Sequence, residues 1–499
     1  MKTGKEHKFS KLFYNAVTYA GVMLSILVAT LEAFLFALDF FDKGRNLYLG
    51  LITYLILPGV LVLGLLLIPL GVLWKKRRID RGLPNIELRR FRVDLAIPQH
   101  RNAILVFIVG TSVLVLMSVI GSYKAFHYTE SVQFCGVLCH DVMHPEYTAY
   151  TQSPHGRVKC VECHIGEGAD WYVRSKMSGA RQVVKTLARN YEKPIHTPVH
   201  NLRPAEETCK QCHSPGKFFS TLDFRRSYFL SAEDNPRWEM RMLLNVGSGE
   251  NRGYGVHAHM NLDHDIYYVA DDGRRQKISW VKSVGKDGAE KVFTSPDSKY
   301  KDAPPPADLI RKMDCIDCHN RPTHQFLAPY RLVNDAMQRG TIDPAIPFIK
   351  ERSLEALSAD YASGEEASRK IPEALSEFYR TKVPDFYASH RDKIDKAAGQ
   401  IVDMHRHNLF PEMKVRWDTH PDNIGHLVSP GCFRCHDGEH RAAGSDRVIS
   451  RDCKSCHVIV EQGPAGATEK NIDGLEFRHP DGGEEWKEMS CNDCHTGGT

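Results

Sequence analysis

The chain holds 14 cysteines in 499 residues, and every one falls in the same kind of motif. Cys135 and Cys139 precede His140, and Cys160 and Cys163 precede His164. Cys209 and Cys212 precede His213, and Cys315 and Cys318 precede His319. Cys432 and Cys435 precede His436, Cys453 and Cys456 precede His457, and Cys491 and Cys494 precede His495. Six of these read C-x-x-C-H, and the first, CGVLCH, carries one extra residue between its cysteines. Two thiols one short turn apart can add across the two vinyl groups of a haem, and the histidine that follows then reaches the iron as proximal ligand. Paired cysteines alone could also bind zinc or form disulfides. With histidine at about 5% of positions, however, chance placement of one after all seven pairs has a probability on the order of 10⁻⁹. No cysteine is left over for a disulfide, so the motifs predict seven covalently attached haem c groups, each with its iron.

Seven proximal histidines leave 18 of the 25 for other work. Low-spin haems that only carry electrons take a second axial histidine or methionine, so supply exceeds demand. His426, His440 and His479 lie near the last three motifs, and His200 lies near the first three. These four are the favoured distal ligands. Of His257, His259 and His264, which precede a predicted strand, one is expected to ligate. His405, His407 and His420 are held in reserve as surface histidines.

The elements that must position these motifs begin with a membrane anchor. Apolar runs at residues 17–38, 49–74 and 103–122 are each long enough to cross a bilayer as a helix. The second contains Pro58 and Pro69. A cleaved signal peptide does not suit the first run, which is too long and lacks a small-x-small site. Lys2, Lys5, Lys8 and Lys11 precede the first span, and Lys75, Lys76, Arg77, Arg78, Arg81, Arg89, Arg90, Arg92 and Arg101 fill the loop after the second. Only Lys43 and Arg45 lie between the first two spans. The positive-inside rule then puts the amino terminus and the 75–101 loop in the cytoplasm and the haem motifs outside, in the periplasm. Bacterial c-type haem attachment also happens outside the cytoplasm, in agreement with that orientation. Glu32 interrupts the first span, where a carboxylate is costly unless neutralised or paired, and this makes it a functional candidate. A net charge of +4, from 65 basic and 61 acidic residues, gives no concentrated basic excess of the kind nucleic acid requires. Apolar content of 42% argues against global disorder.

The run CGVLCHDVMHPEYTAYTQSPHGRVKCVECHIGEGADWYVRSK resembles the first two haem sites of the NapC/NirT family of membrane-anchored quinol-oxidising cytochromes c, and MDCIDCHNRPTH resembles its fourth. The resemblance covers roughly residues 123–324. Three spans and a trihaem carboxyl-terminal part exceed the usual single anchor and four haems, and are similar to the inner-membrane heptahaem cytochromes of metal-reducing bacteria. It implies that His155 in SPHG and His324 in NRPTH are distal ligands. It further implies that Lys176, twelve residues beyond His164, belongs to a quinol pocket. The carboxylate expected six or seven residues further on is not matched, because Gln182 and Val183 stand there. Met143 resembles the methionine that binds the first iron in part of the family, but it follows His140 by three residues rather than two. The axial ligand of the first haem is therefore either His140 or Met143.

The expected fold is mainly α. Residues 1–122 form a three-helix anchor, and residues 123–327 form a tetrahaem domain with a small β-rich insertion at 221–305. Residues 328–415 form a helical connector, and residues 416–499 form a trihaem domain. In the haem regions, ring faces replace much of the apolar core and little regular structure is expected. Only about a dozen residues separate the third span from Cys135, roughly 18 Å as helix or roughly 40 Å extended. Haem 1 is thus held near the bilayer surface, within reach of the membrane quinol pool. The resemblance then implies a quinol dehydrogenase. Menaquinol is oxidised beside haem 1, with Lys176, Glu167, Asp170, Asp141 and His127 as candidate proton acceptors. Electrons pass on to periplasmic c-type cytochromes, with no particular oligomeric state implied. The competing readings are a terminal reductase acting on a small oxyanion at an open haem, and a haem scaffold without quinol chemistry. No C-x-x-C-K site supports the former, and no sensor-like segment supports the latter.

Overall fold

The computed structural model describes all residues except 1–11, 43–55, 83–95, 97, 139, 166–168, 199–203, 215–219, 248–254, 260–263 and 498–499. The chain divides into two units, residues 1–138 and 139–499.

In the first unit, helices α1 (Ala16–Asp42), α2 (Leu57–Asp80) and α3 (Pro98–Thr129) carry three candidate membrane spans, Ala16–Phe36, Leu57–Asp80 and Ile108–Thr129. Their outward side chains are Leu, Ile, Val and Met, as lipid contact requires. Small residues let α1 and α2 approach closely. A Cβ on Gly21 would meet the Gly64 carbonyl oxygen at 2.8 Å, and one on Gly64 would meet Ser25 Oγ at 2.6 Å. Lys75 is buried at the end of this pair, where its Nζ donates to the Tyr14 carbonyl at 2.7 Å. The second and third helices run past the ends of the apolar runs at 49–74 and 103–122, to Asp80 and Thr129. α3 in particular continues unbroken to Thr129, six residues before Cys135.

The second unit starts with the haem-motif helices α4 (His140–Gln152) and α5 (Cys160–His164), the amphipathic α6 (Ala169–Leu187) and the short α7 (Ala205–Cys209). The expected strands at 266–269, 277–284 and 291–294 are present as β3 (His264–Ala270), β4 (Ile278–Gly285) and β5 (Glu290–Thr294). A hairpin of β1 (Thr221–Phe229) and β2 (Arg237–Asn245) precedes them. The strands β6 (Arg311–Lys312), β7 (Arg441–Ala442), β8 (His457–Pro464) and β9 (Glu469–Leu475) follow.

The sheets do not respect the boundary drawn between insertion and carboxyl-terminal part. One sheet runs β1-β2-β8-β9 and the other β6-β3-β4-β5-β7, both antiparallel. Residues 221–312 are therefore interleaved with residues 441–475, and the β structure is larger than a small insertion. Alternation marked β3–β5. β2 and β8 are bonded to each other across more than 200 residues of sequence, a pairing that local periodicity does not contain.

The connector forms four helices: α9 (Pro329–Gln338), α10 (Ile349–Ser358), α11 (Gly364–Lys382) and α12 (Pro384–Asn408). They follow the one-turn motif helix α8 (Cys315–Cys318). On α11, Ala367, Ile371, Leu375 and Tyr379 recur every fourth residue. On α12, Ile394, Ala397, Ala398 and Ile401 make the matching stripe, and both stripes are buried in one apolar core with Val333, Ile342, Ile346 and Leu357. Ser363 caps α11 by accepting from the Glu366 N–H at 3.1 Å. The core also reaches the hairpin, where Asn235 Oδ1 accepts from the Lys350 N–H at 2.9 Å and its Nδ2 donates to Ile346 O at 2.8 Å.

Two buried charges stand out. Asp317, inside the fourth motif, accepts from Tyr268 Oη at 2.7 Å, from Arg311 Nε at 2.9 Å and from the Asp314 N–H at 2.8 Å. Lys350, 3% exposed, is held by neutral partners, Asn334 Oδ1 at 3.0 Å and Tyr330 O at 3.2 Å.

Removing Asp317 strands Tyr268 and Arg311 beneath the sheet. Asp317→Ala is expected to lower unfolding stability by about 3 kcal/mol, read from the denaturant midpoint of protein with wild-type haem content. Burial holds the Lys350 amine down to about 7, against about 10.4 in an unfolded chain. Between those values the unfolded state binds the extra proton, so stability rises with pH and is lost as pH falls through that window. Lys350→Met should flatten this slope, which reaches at most about 1.4 kcal/mol per pH unit, in thermal melts across the same range.

Candidate haem sites

The second to seventh haem-attachment motifs are single turns. The N–H of His213, His319 and His495 donates to the carbonyl of the motif's first cysteine at 2.8 Å, and that of His436 does so at 3.0 Å. In these four motifs this one bond closes the turn. Asp314 and Asp317 add a capping box to the fourth motif, and Ser490 and Asp493 add one to the seventh.

Six proximal histidines face a second histidine. Ring centroids are 6.2 Å apart for His164 and His324, 6.0 Å for His213 and His155, and 6.3 Å for His319 and His257. They are 5.8 Å apart for His436 and His259, 6.2 Å for His457 and His426, and 5.9 Å for His495 and His479. Two imidazoles bonded to one metal at about 2 Å each place their centroids roughly 6 Å apart. The spacing fits one iron between each pair.

The surroundings suit ligation. A ligating ring must be neutral, with its other nitrogen held by an acceptor so that the lone pair points at the metal. The Nδ1 of His155 bonds Pro322 O at 3.3 Å, while His324 Nδ1 bonds Glu146 O and His259 Nδ1 bonds Val256 O, each at 3.0 Å. His436 Nδ1 bonds Ser450 O at 3.0 Å, and His479 Nδ1 bonds Asp481 Oδ1. Burial pushes His324 and His426 down to about 4 and lowers His164, His257, His259, His319 and His457. These rings are neutral near pH 7.

The second to seventh attachment sites follow one another in space in sequence order. The cysteines stand here as thiols where attached haem would make thioethers. Burial, with the adjacent Cys315 thiol, pushes Cys209 up to about 12, and Cys163 is within its electrostatic reach. Cys318 senses Cys432, Cys456 senses Cys432, and Cys491 senses Cys453. Arg434, between the cysteines of the fifth motif, donates from Nη2 to the Asp317 carbonyl inside the fourth at 2.7 Å. The one signal in the sequence was an arginine at a variable position of the fifth motif, since its acceptor is a backbone carbonyl that any residue supplies.

Other expected site residues are placed as follows. His440 is not brought to any proximal histidine. Its Nδ1 is bonded to Asp437 Oδ2 at 2.8 Å and its Nε2 to Ile278 O at 3.1 Å, so neither nitrogen is available to iron and its expected ligand role is corrected. Both His257 and His259 face proximal rings, where one was expected. His420, from the reserves, is buried with Nδ1 on Thr197 Oγ1 at 3.0 Å. Cys139, Glu167 and His200 lie outside the described residues, as do the side chains of His140, Asp141 and Asp170.

At the first motif a π-helical turn, Gln133–Leu138, accommodates the extra residue. A π turn takes one residue more than an α turn, which matches the stretched spacing after Cys135. Met143 is half-buried on α4. Lys176 is half-buried on α6, whose Val173, Met177, Val184 and Leu187 are exposed. In the first unit, His127 ends α3 with its ring 4.4 Å from that of Tyr123, and Glu32 Oε1 lies 3.9 Å from where a Cβ on Gly121 would sit.

Comparison with known proteins places the chain among cytochromes c. The family described as "NapC/NirT cytochrome c family, N-terminal region" matches residues 97–218. Cytochrome c-type protein ImcH of Geobacter sulfurreducens is 37% identical over 490 residues, which is 98% of this chain and 96% of ImcH. Cytochrome c-type protein NrfH of Wolinella succinogenes is 27% identical over 116 residues, 23% of this chain and 64% of NrfH. No solved structure matches. Apolar helices, repeated haem-attachment turns and near-complete alignment to a c-type cytochrome lead to one assignment: the chain belongs to the NapC/NirT cytochrome c family, as a membrane-anchored multihaem member with covalently bound haem c.

Proposed function

We propose that this protein is a heptahaem quinol dehydrogenase of the bacterial inner membrane, oxidising menaquinol and passing electrons to periplasmic c-type cytochromes. The observation that carries the reading is the set of six opposed histidine pairs. With both axial positions filled by imidazole, a haem serves to move electrons rather than to bind substrate. A terminal reductase acting at an open haem draws no support from those six sites.

In this reading the amino terminus is cytoplasmic and the haem sites are periplasmic, as the basic loops indicate. The pairs His164/His324, His213/His155, His319/His257, His436/His259, His457/His426 and His495/His479 hold six haems. Cys135, Cys139 and His140 hold the first, with Met143 as the alternative axial ligand. Bound haem c supplies one-electron carriers, and the chain orients them and tunes their potentials through ligand, burial and hydrogen bonding.

Menaquinol gives up two electrons and two protons to become menaquinone. Lys176 is assigned to its binding, either as a neutral base or as a cation facing the developing quinolate. Glu167, Asp170, Asp141 and His127 are the further proton acceptors. Glu32 has a role from within the membrane, on the side of α1 that meets Gly121.

Two measurements test this reading. Intact mass of the purified protein should exceed the polypeptide mass by seven haems. Protein in liposomes should become reduced when given a menaquinol analogue, and Lys176→Ala should slow that reduction about 100-fold. Absence of reduction with intact haems overturns the quinol assignment, and an unchanged rate in Lys176→Ala overturns the role of the lysine.

A further inference from the structure

The turn Val256–His259 is a single 3₁₀ turn carrying two histidines two residues apart. At three residues per turn, positions i and i+2 point in different directions. His257 faces His319 with rings nearly parallel, 19° at 6.3 Å, and His259 faces His436 with rings nearly perpendicular, 84° at 5.8 Å. His319 belongs to the fourth motif and His436 to the fifth, 117 residues later by their numbering.

The turn is fixed by its approach to β2. Gly255 has φ +102°, and a Cβ there would meet the Asn245 carbonyl oxygen at 2.8 Å and Gly247 at 2.9 Å. The His257 N–H donates to Val246 O at 3.2 Å, and His259 Nδ1 bonds Val256 O at 3.0 Å. β2 in turn is paired with β8, and the Asn245 N–H donates to Cys456 O at 2.9 Å. On the proximal side the same two motifs are tied by Arg434, through Nη2 to Asp317 O at 2.7 Å and Nη1 to Arg275 O at 3.0 Å.

We propose that the His257–Ala258–His259 turn is a splice. One rigid turn supplies the distal ligand to two consecutive haem sites, and so joins the first group of haems to the second at the crossing between the fourth and fifth motifs. The proposal rests on the bis-histidine reading above and adds that haems 4 and 5 share a positional element. Disturbance of the turn therefore moves both together. An extra Cβ at Gly255 pushes on Asn245 and Gly247 and displaces both rings. Replacement of either histidine alone affects one site.

The test uses full-length protein in detergent, with haem content verified, followed by EPR of the oxidised state and a spectroelectrochemical titration. Near-perpendicular axial imidazoles give a strongly anisotropic low-spin signal, whereas near-parallel ones give a rhombic signal. His259→Met should remove one anisotropic signal and raise the midpoint potential of one haem, since His/Met ligation raises potential. His257→Met should remove one rhombic signal and raise one other. Gly255→Ala should shift two haems at once, one of each type, and leave the remaining five unchanged. The splice is overturned if Gly255→Ala moves one haem or none, or if the two methionine variants alter the same haem. A wild-type spectrum without bis-histidine signals instead overturns the underlying ligand reading. A wild-type spectrum with those signals, unaltered in either methionine variant, removes the splice alone.

Discussion

The second unit is organised around one constraint, that pairs of imidazole rings be held with their centroids about 6 Å apart, the spacing two axial ligands of one iron would need. Six times a histidine from another segment of the chain lies opposite the one inside a motif, from 16 residues away for His479 and His495 to 177 for His259 and His436. His155, in the loop after α4, lies opposite His213 of the third motif, and His324, after the fourth motif, lies opposite His164 of the second. Such exchange knits the chain more tightly than local ligation would, since each site fixes two segments. It also explains why few of the motif residues sit in a conventional apolar core. In this unit that core is concentrated in α9–α12 and the face of the β3–β4–β5 sheet.

The sheets act as the frame for those pairs. β6 leads into the fourth motif, β7 follows the fifth, and β8 begins at the proximal His457 of the sixth. Ladder hydrogen bonds fix register to within one residue, because a slip would turn every side chain to the other face. Residues near strand ends are therefore positioned finely enough for ligation. Asp317 and Arg434 extend the frame into the variable positions of the motifs themselves, where buried hydrogen bonds replace sequence-neutral linkers.

The membrane unit answers to a different physics. Without water to drive apolar surfaces together, α1 and α2 meet through glycine, serine and threonine rather than through larger side chains. The lipid-facing surface keeps its leucines, isoleucines and valines exposed. α3 then carries the chain to Thr129, so that the widened π turn and Cys135 follow directly.

Covalent chemistry and lipid transfer are read from a few adjacent residues, and these the sequence by itself determined. The spacing of cysteines and histidines marked the attachment turns, and runs of apolar residues marked three helices. Alternation marked β3–β5, and the stretch 328–415 read as amphipathic helices. The opposition of histidine rings is a relation between residues up to 177 positions apart, such as His259 and His436, and only the tertiary structure decided it. Proximity in sequence favoured His440, whose two nitrogens instead hold Asp437 and Ile278. It favoured His426 and His479 as well, and these do face proximal rings. The difference lies in which backbone carbonyls and carboxylates reach each ring nitrogen first. That depends on the pairing of β2 with β8 and on the placement of β3 and β4, which no local pattern contains.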